Sequence, residues 1–271
     1  MRTSSLTFLR YDGGMSVRVA VTAWVGERCE EAKRLAERLN LPYFADSDEA
    51  VNADLLLVVT SERLELHEVG SRAGAVYAEF VAGKAGYRRT QPGRAPVARA
   101  AGVKGAFRPT VLDATAGLGQ DAFTLAMSGC RVHVVERSSI IAALLADGVE
   151  RALAYPETAE AATRLSLVVG EAKEVLVSLS ETERPDTVYL DPMYPETGKK
   201  AAKRKEMRLF RRLVGDDLDA GELLTAARHV ALRRVVVKRP TKAPPLNNQK
   251  PDAVIPGKTT RFDLYFRSPI L

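Results

Sequence analysis

From residue 110 onward, short apolar runs alternate with stretches of helical spacing, and the first of these runs ends in a glycine turn. Residues 110–114 (T-V-L-D-A) form an apolar strand that carries Asp113. The string Asp113-Ala114-Thr115-Ala116-Gly117-Leu118-Gly119-Gln120-Asp121-Ala122 leads from it into a helix expected over 121–128. Further strands are expected at 131–135, 165–169, 187–190 and 234–237, with helices at 138–154, 199–213 and 218–230. Residues 253–255 and 261–266 read as a closing hairpin. A chain that alternates strand and helix in this way must return each strand in the same direction, which predicts a mostly parallel sheet covered on both faces by helices. The expected fold is therefore α/β and Rossmann-like, closed by an antiparallel hairpin.

The residues before this region are organised differently. Residues 1–14 read as a flexible extension. Residues 15–83 form a small α/β domain, with strands expected at 17–25, 55–60, 63–69 and 76–81 and a helix at 27–39. Residues 84–109 are a basic linker containing a short helix at 95–101, and residues 110–271 are the main domain. A hydrophobic content of 46% is enough for a core, and two cysteines are too few for a disulfide framework. No apolar run approaches the length of a membrane span, and no apolar signal core opens the chain. The three histidines are far apart, so no metal site is expected.

Charge is unevenly placed. Lys84–Arg108 carries seven basic residues and no acid, and Lys199–Arg212 carries eight basic residues and Glu206. The two windows hold +14 against a total of +6, so the remainder of the chain is at −8. Two basic patches on an otherwise acidic chain point to a polyanionic partner, with solvated helix faces as the plainer explanation.

The glycine turn is a ligand site in outline. Gly117 and Gly119 at a strand-to-helix turn let a ligand approach the backbone closely, and G-L-G-Q-D-A fits the dinucleotide pattern G-x-G-x-x-G/A. Glu136, at the end of the next strand, suits two ribose hydroxyls, a device shared by NAD and S-adenosylmethionine (SAM) sites. Asp113 and Asp121 separate the two ligands. A diphosphate beside these carboxylates is repelled, whereas SAM has no phosphate and carries a sulfonium and an ammonium. Gly170-Glu171-Ala172, after the third strand of the main domain, lies where an adenine would sit, although a surface helix start accounts for it nearly as well.

Asp191-Pro192-Met193-Tyr194-Pro195 follows the fourth strand and is similar to the D/N-P-P-Y/F motif of enzymes that methylate exocyclic amino groups of bases. An aromatic amine has its lone pair delocalised into the ring, so the site must accept hydrogen bonds from the NH₂ group and aim the nitrogen. Asp191 and the Pro192 carbonyl suit that task, and Tyr194 suits stacking on a base taken out of its helix. Met193 stands where the motif has a second proline. In the basic helix that follows, Leu209 and Leu213 suit the core, while Lys199, Lys200, Lys203, Arg204 and Arg208 suit phosphates. Lys238 and Arg239, at the end of the fifth strand, suit an RNA backbone, a helix cap or a pairing with Asp191.

Taken together, D-A-T-A-G-L-G, G-C-R-V followed by E-R, Y-L-D-P-M-Y-P, K-K-A-A-K-R-K-E-M-R-L-F-R-R-L-V-G, R-V-V-V-K-R-P and R-F-D-L-Y resemble the ribosomal RNA small subunit methyltransferase J family over about residues 35–269. The resemblance implies a class I SAM-dependent methyltransferase fold. It also implies methyl transfer from SAM to the N2 amino group of a guanine in 16S rRNA, by a cytoplasmic enzyme acting on the small ribosomal subunit or its RNA. By position, it implies cofactor contacts at Gln120, Asp121, Glu136, Arg137, Glu171, Ala172 and Asp191. The family usually has Arg in place of Gln120 and a Ser-Ser pair in place of Glu171 and Ala172. Two other readings remain at this point: an NAD(P)-dependent oxidoreductase, from the glycine pattern, and a non-catalytic RNA-binding assembly factor.

Overall fold

The computed structural model describes residues 8–10, 16–24, 26–46, 52–72, 74–82, 95–193, 209, 213 and 219–267. They fall into two compact units. One draws on residues 1–78, 138–148 and 195–216, and the other on residues 79–137, 149–194 and 217–271.

The first unit contains a sheet in the order β1 (Phe8–Arg10), β2 (Ser16–Ala23), β3 (Leu55–Val59), β4 (Leu64–Glu68). β2 and β3 are parallel, and the outer pairs are antiparallel. Parallel neighbours need a crossover, and helix α1 (Cys29–Leu39) lies in it, with Ala32, Leu35 and Ala36 buried at helical spacing. Phe8–Arg10, within the stretch expected to be an extension, pairs antiparallel with Ser16–Arg18. The strand expected at 76–81 does not form. Val76 makes a single bridge to Leu66, and the chain then turns, because the N–H groups of Val81 and Ala82 both donate to Glu79 Oε1 at 2.7 and 2.9 Å.

The second unit is built on seven strands. They are β5 (Val111–Asp113), β6 (Val132–Glu136), β7 (Leu165–Val169), β8 (Thr187–Leu190), β9 (Arg234–Pro240), β10 (Ala253–Ile255) and β11 (Thr260–Phe266). Their spatial order is β10-β11-β9-β8-β5-β6-β7. β5 to β9 are mutually parallel, while β11 is antiparallel to β9 and β10 to β11. The Rossmann-like sheet and its closing hairpin are thus as expected. The chain leaves β5 toward β6 and β7 and then returns to β8 and β9. The switch point lies between β5 and β8, where open sheets of this type bind ligands at the carboxyl ends of their strands.

The helices are α2 (Pro96–Ala101), α3 (Gln120–Met127), α4 (Ser139–Leu153), α5 (Pro156–Ala162), α6 (Ala172–Ser178) and α7 (Ala220–Val230). The seven-residue helix α5 has no counterpart among the expected elements, while α6 begins where Gly170-Glu171-Ala172 allowed a surface helix start. Pro156 opens α5 at a position where proline's missing N–H costs nothing. α7 buries Leu223, Leu224 and Ala227 in the same cluster as Val188, Leu190 and Val235 of the sheet. Each buried leucine contributes about 1.5–3 kcal/mol. Of the expected basic helix, Leu209 and Leu213 are helical and buried. Tyr194, Lys199, Lys200, Lys203, Arg204 and Arg208 lie outside the described residues.

Candidate active site

The turn after β5 is stitched to the strands on both sides. Ala114 N–H donates to the Tyr189 carbonyl of β8 at 3.0 Å, and Ala116 N–H to the Val135 carbonyl of β6 at 3.1 Å. Gly117 and Gly119 have φ of 52° and 72°, in the left-handed region where a side chain is costly. Gly117 N–H donates to Glu136 Oε2 at 2.9 Å, so the carboxylate that ends β6 also shapes the turn. Gly119 caps the start of α3, leaving the helix's first N–H groups facing the turn.

Three aspartates converge at this rim. Asp113 is 2% exposed, and its Oδ1 accepts the Thr115 N–H at 3.1 Å. Burial pushes its carboxyl pKa up to about 8. The Thr115 N–H opposes the shift, the charges of Asp121 and Asp191 add to it, and Lys238 opposes it. At neutral pH Asp113 is therefore mainly protonated. Asp121, in the first turn of α3, accepts from the Tyr189 hydroxyl at 2.7 Å. Asp191 follows β8 directly, and its N–H donates to Thr115 Oγ1 at 2.6 Å.

Lys238 joins the last two. In the parallel register Leu190 faces Val237, which brings the next residue of each strand together. Lys238 Nζ donates to Asp121 Oδ2 at 2.7 Å and to Asp191 Oδ2 at 2.8 Å. Burial alone would lower the ammonium pKa, but the charges of Asp191 and Asp121 and their hydrogen bonds outweigh it and raise the pKa above that of an ordinary lysine. Among Asp113, Asp121, Asp191 and Lys238, with Asp113 protonated, two carboxylates stand against one ammonium, an acidic excess. SAM carries a sulfonium, an ammonium and a carboxylate, one net positive charge. The donor set therefore matches this cofactor in sign and opposes a diphosphate.

The structure brings Asp113, Gly117, Gly119, Asp121, Glu136, Asp191 and Lys238 to one rim. Gln120 Nε2 donates to the Glu79 carbonyl at 3.0 Å, and Arg137 is half-buried after β6. Glu171 is the exposed cap of α6, Ala172 is the first residue of that helix, and Pro192 is buried. Of the roles open to Lys238 and Arg239, Lys238 takes the pairing with Asp191. Arg239 is buried, with Nε and Nη2 on the Pro244 carbonyl at 3.2 and 3.0 Å, because it lies on the covered face of β9. Neither is a solvated phosphate contact here. Sequence reasoning missed Thr115 and Tyr189. Tyr189 carried a signal, since a tyrosine in a wholly apolar strand needs a partner for its hydroxyl.

A mostly parallel sheet closed by an antiparallel hairpin, with an acidic glycine turn at its switch point, defines a SAM-dependent methyltransferase. In agreement, a family described as a putative SAM-dependent methyltransferase matches residues 34–267. A crystal structure of a SAM-dependent methyltransferase from Neisseria gonorrhoeae aligns with a TM-score of 0.74 at 37% identity, over 93% of this chain and 97% of that one. Proteins named ribosomal RNA small subunit methyltransferase J are similar across nearly their whole length. The one from Thioalkalivibrio sulfidiphilus is 50% identical over 87% of this chain and 92% of its own, and the one from Chromobacterium violaceum 51% over 88% and 92%. The one from Pseudomonas aeruginosa is 46% identical over 92% and 94%. The chain belongs to the ribosomal RNA small subunit methyltransferase J family.

Proposed function

We propose that this enzyme transfers a methyl group from SAM to the N2 amino group of a guanosine in 16S rRNA, giving N2-methylguanosine and S-adenosylhomocysteine. The observation that carries the reading is the anchoring of Asp191. Its backbone is held by Thr115 of the glycine turn and its carboxylate by Lys238, so the motif residue is locked to the cofactor turn. Asp113, Gly117, Gly119, Asp121 and Glu136 would hold SAM, with Glu136 at the ribose and Gln120, Arg137, Glu171 and Ala172 as the outer contacts. Bound there, the cofactor supplies a methyl group on a sulfonium that is already a good leaving group.

The protein's contribution is then mostly positioning, worth up to about 7–11 kcal/mol for well-aligned reactants. The Asp191 carboxylate and the Pro192 carbonyl accept hydrogen bonds from the guanine NH₂ and turn its lone pair toward the methyl carbon. As the new C–N bond forms, the nitrogen gains positive charge, and the Asp191 carboxylate stabilises it and takes the departing proton. Lys238 fixes the direction in which that carboxylate points. Tyr194 would stack on the flipped base, and Lys199, Lys200, Lys203, Arg204 and Arg208 would contact phosphates. None of these last residues is among those described. No described helix is long and apolar enough to cross a membrane, and an rRNA substrate supports reading the enzyme as cytoplasmic.

The test is tritiated methyl transfer to small subunits from a strain lacking this enzyme, followed by nucleoside analysis. Label in N2-methylguanosine is expected, and label in any other nucleoside overturns the assignment. Asp191→Ala should keep most SAM affinity and lose transfer by at least a hundredfold. Wild-type turnover by that variant would remove Asp191 from the mechanism.

A further inference from the structure

The opposite rim of the same sheet carries a second cationic surface. Thr225, Arg228, His229, Gln249, Phe266 and Arg267 line a cleft of about 360 Å³. It sits between the end of α7, the end of β11 and the loop before β10. Because β11 is antiparallel to β9, Phe266 pairs with Arg234 at the start of β9. Lys238 lies four residues further along, about 13 Å at the usual strand rise. The cleft is thus a separate site from the one that holds Asp191.

Its chemistry is that of a polyanion site with an aromatic wall. Among the described residues, no acidic side chain lines it. Arg228 is exposed, and its Nη1 donates to Gln249 Oε1 at 3.3 Å, which orients the guanidinium without neutralising it. Phe266 is 40% exposed, and the Arg234 guanidinium stands over its ring at 5.3 Å. The same pairing recurs beside the cleft, where the Arg233 guanidinium stands 4.6 Å from the centre of the Phe107 ring, itself 39% exposed. Arg233 Nε also donates to Asp186 Oδ1, and the exposed Asp252 accepts the Phe266 N–H through its Oδ2 at 2.7 Å beside the cleft. Arg233 is tied into the cleft through its carbonyl, which accepts the Arg267 N–H at 2.9 Å. Exposed phenylalanines interleaved with arginines suit a strand whose phosphates meet guanidinium groups and whose bases meet ring faces.

We propose that this amino-terminal rim is a second RNA-binding surface, with Arg228 and Arg267 taking backbone phosphate and Phe266 taking a base. It rests on the reading of the enzyme as an rRNA methyltransferase and adds a contact remote from the reacting guanine. A contact of this kind contributes to substrate binding equally before and during methyl transfer, so it acts on KM and leaves kcat alone.

The experiment uses the full chain with three probes: naked 16S rRNA for binding across a KCl series, unmethylated small subunits for kinetics, and phosphatidylserine–phosphatidylcholine vesicles as a competing anionic surface. The Arg228→Gln/Arg267→Gln variant should raise KM for the RNA at least threefold, with kcat within twofold and SAM affinity unchanged. The slope of log binding constant against log salt should become shallower by about 1.4, two single-strand contacts at about 0.7 each. Arg228→Lys/Arg267→Lys should keep the wild-type slope, and Phe266→Leu should weaken binding about fivefold or more at every salt concentration. If the glutamine variant does not fold, the lysine and leucine variants carry the test. Unchanged KM and salt slope beside an active wild type overturn the second surface alone. So does loss of binding to phosphatidylserine–phosphatidylcholine vesicles with RNA binding intact. If the wild type neither binds nor methylates rRNA, the underlying reading fails and this proposal falls with it.

Discussion

Replacing Lys238 with methionine keeps the length and bulk of the side chain and removes the ammonium that Asp121 and Asp191 share. Two charge-assisted hydrogen bonds go with it, at 2.7 and 2.8 Å. Such a bond is worth about 1.5–3 kcal/mol when shielded from water. The Asp121 bond qualifies, since the two side chains are 25% and 21% exposed. Asp191 is 40% exposed, so solvent screening brings its bond down to about 0.5–1 kcal/mol. The expected loss is about 3 kcal/mol, which for a unit of this size lowers Tm by about 6–12 °C. Thermal unfolding followed by circular dichroism at pH 7.5 measures it. The raised ammonium pKa means that the lysine's stabilisation is complete below the ordinary lysine value of about 10.4 and lost only above it. The gap between wild type and variant should therefore hold from pH 6 to 9. Lys238→Arg should recover part of the Tm. A Tm within 2 °C of wild type, together with wild-type kcat, would show that Lys238 neither holds the cluster together nor aims Asp191.

Two further outcomes follow from the same rim. The Asp113 carboxyl has a folded pKa of about 8 against an ordinary 3.8, so the folded protein keeps a proton that the unfolded chain releases. The stability this confers is complete below pH 4 and is lost as pH rises to 8. Asp113→Asn should flatten the decline of Tm across that window, and an unaltered slope would place the pH dependence elsewhere. Glu136→Ala removes the acceptor of the Gly117 N–H and the proposed ribose partner together, and should weaken SAM binding by calorimetry at least tenfold. Unchanged affinity would remove Glu136 from the cofactor site.

Several elements could be read from the chain because a single property decided them. β7 and β8 begin and end where their apolar runs do, and the glycine turn falls where only glycine accepts the backbone. β9 runs on to Pro240, beyond its apolar stretch, because Thr260 of β11 pairs with Pro240 and extends the ladder. Nothing within residues 234–240 announces that partner. The segment at 76–81 alternates like a strand, but the Glu79 carboxylate captures two backbone N–H groups and turns the chain. At the site, the acids were readable because their spacing from the glycines is local. The Lys238 bridge is not legible in the chain because it depends on the register of β8 against β9, which joins residues 47 and 117 positions apart.

The acidic excess of the cluster also bears on turnover. The cofactor arrives with one net positive charge, and after losing its methyl group the remaining thioether carries none. An acidic rim therefore favours the reactant form over the spent form and promotes exchange, whereas a neutral glycine turn would hold both alike. If Asp121 supplies part of that discrimination, Asp121→Asn should reduce the affinity for SAM about tenfold more than that for S-adenosylhomocysteine. Tenfold corresponds to about 1.4 kcal/mol, below the roughly 4 kcal/mol of a charge pair about 4 Å apart at an effective dielectric constant of 20, as suits a more distant charge and a partly solvated carboxylate. Added salt should compress the difference in the wild type and have less effect in the variant. Equal losses for the two ligands at low salt would mean that the carboxylate acts by shape or hydrogen bonding alone, and that the preference for a cationic cofactor comes from other groups at the turn.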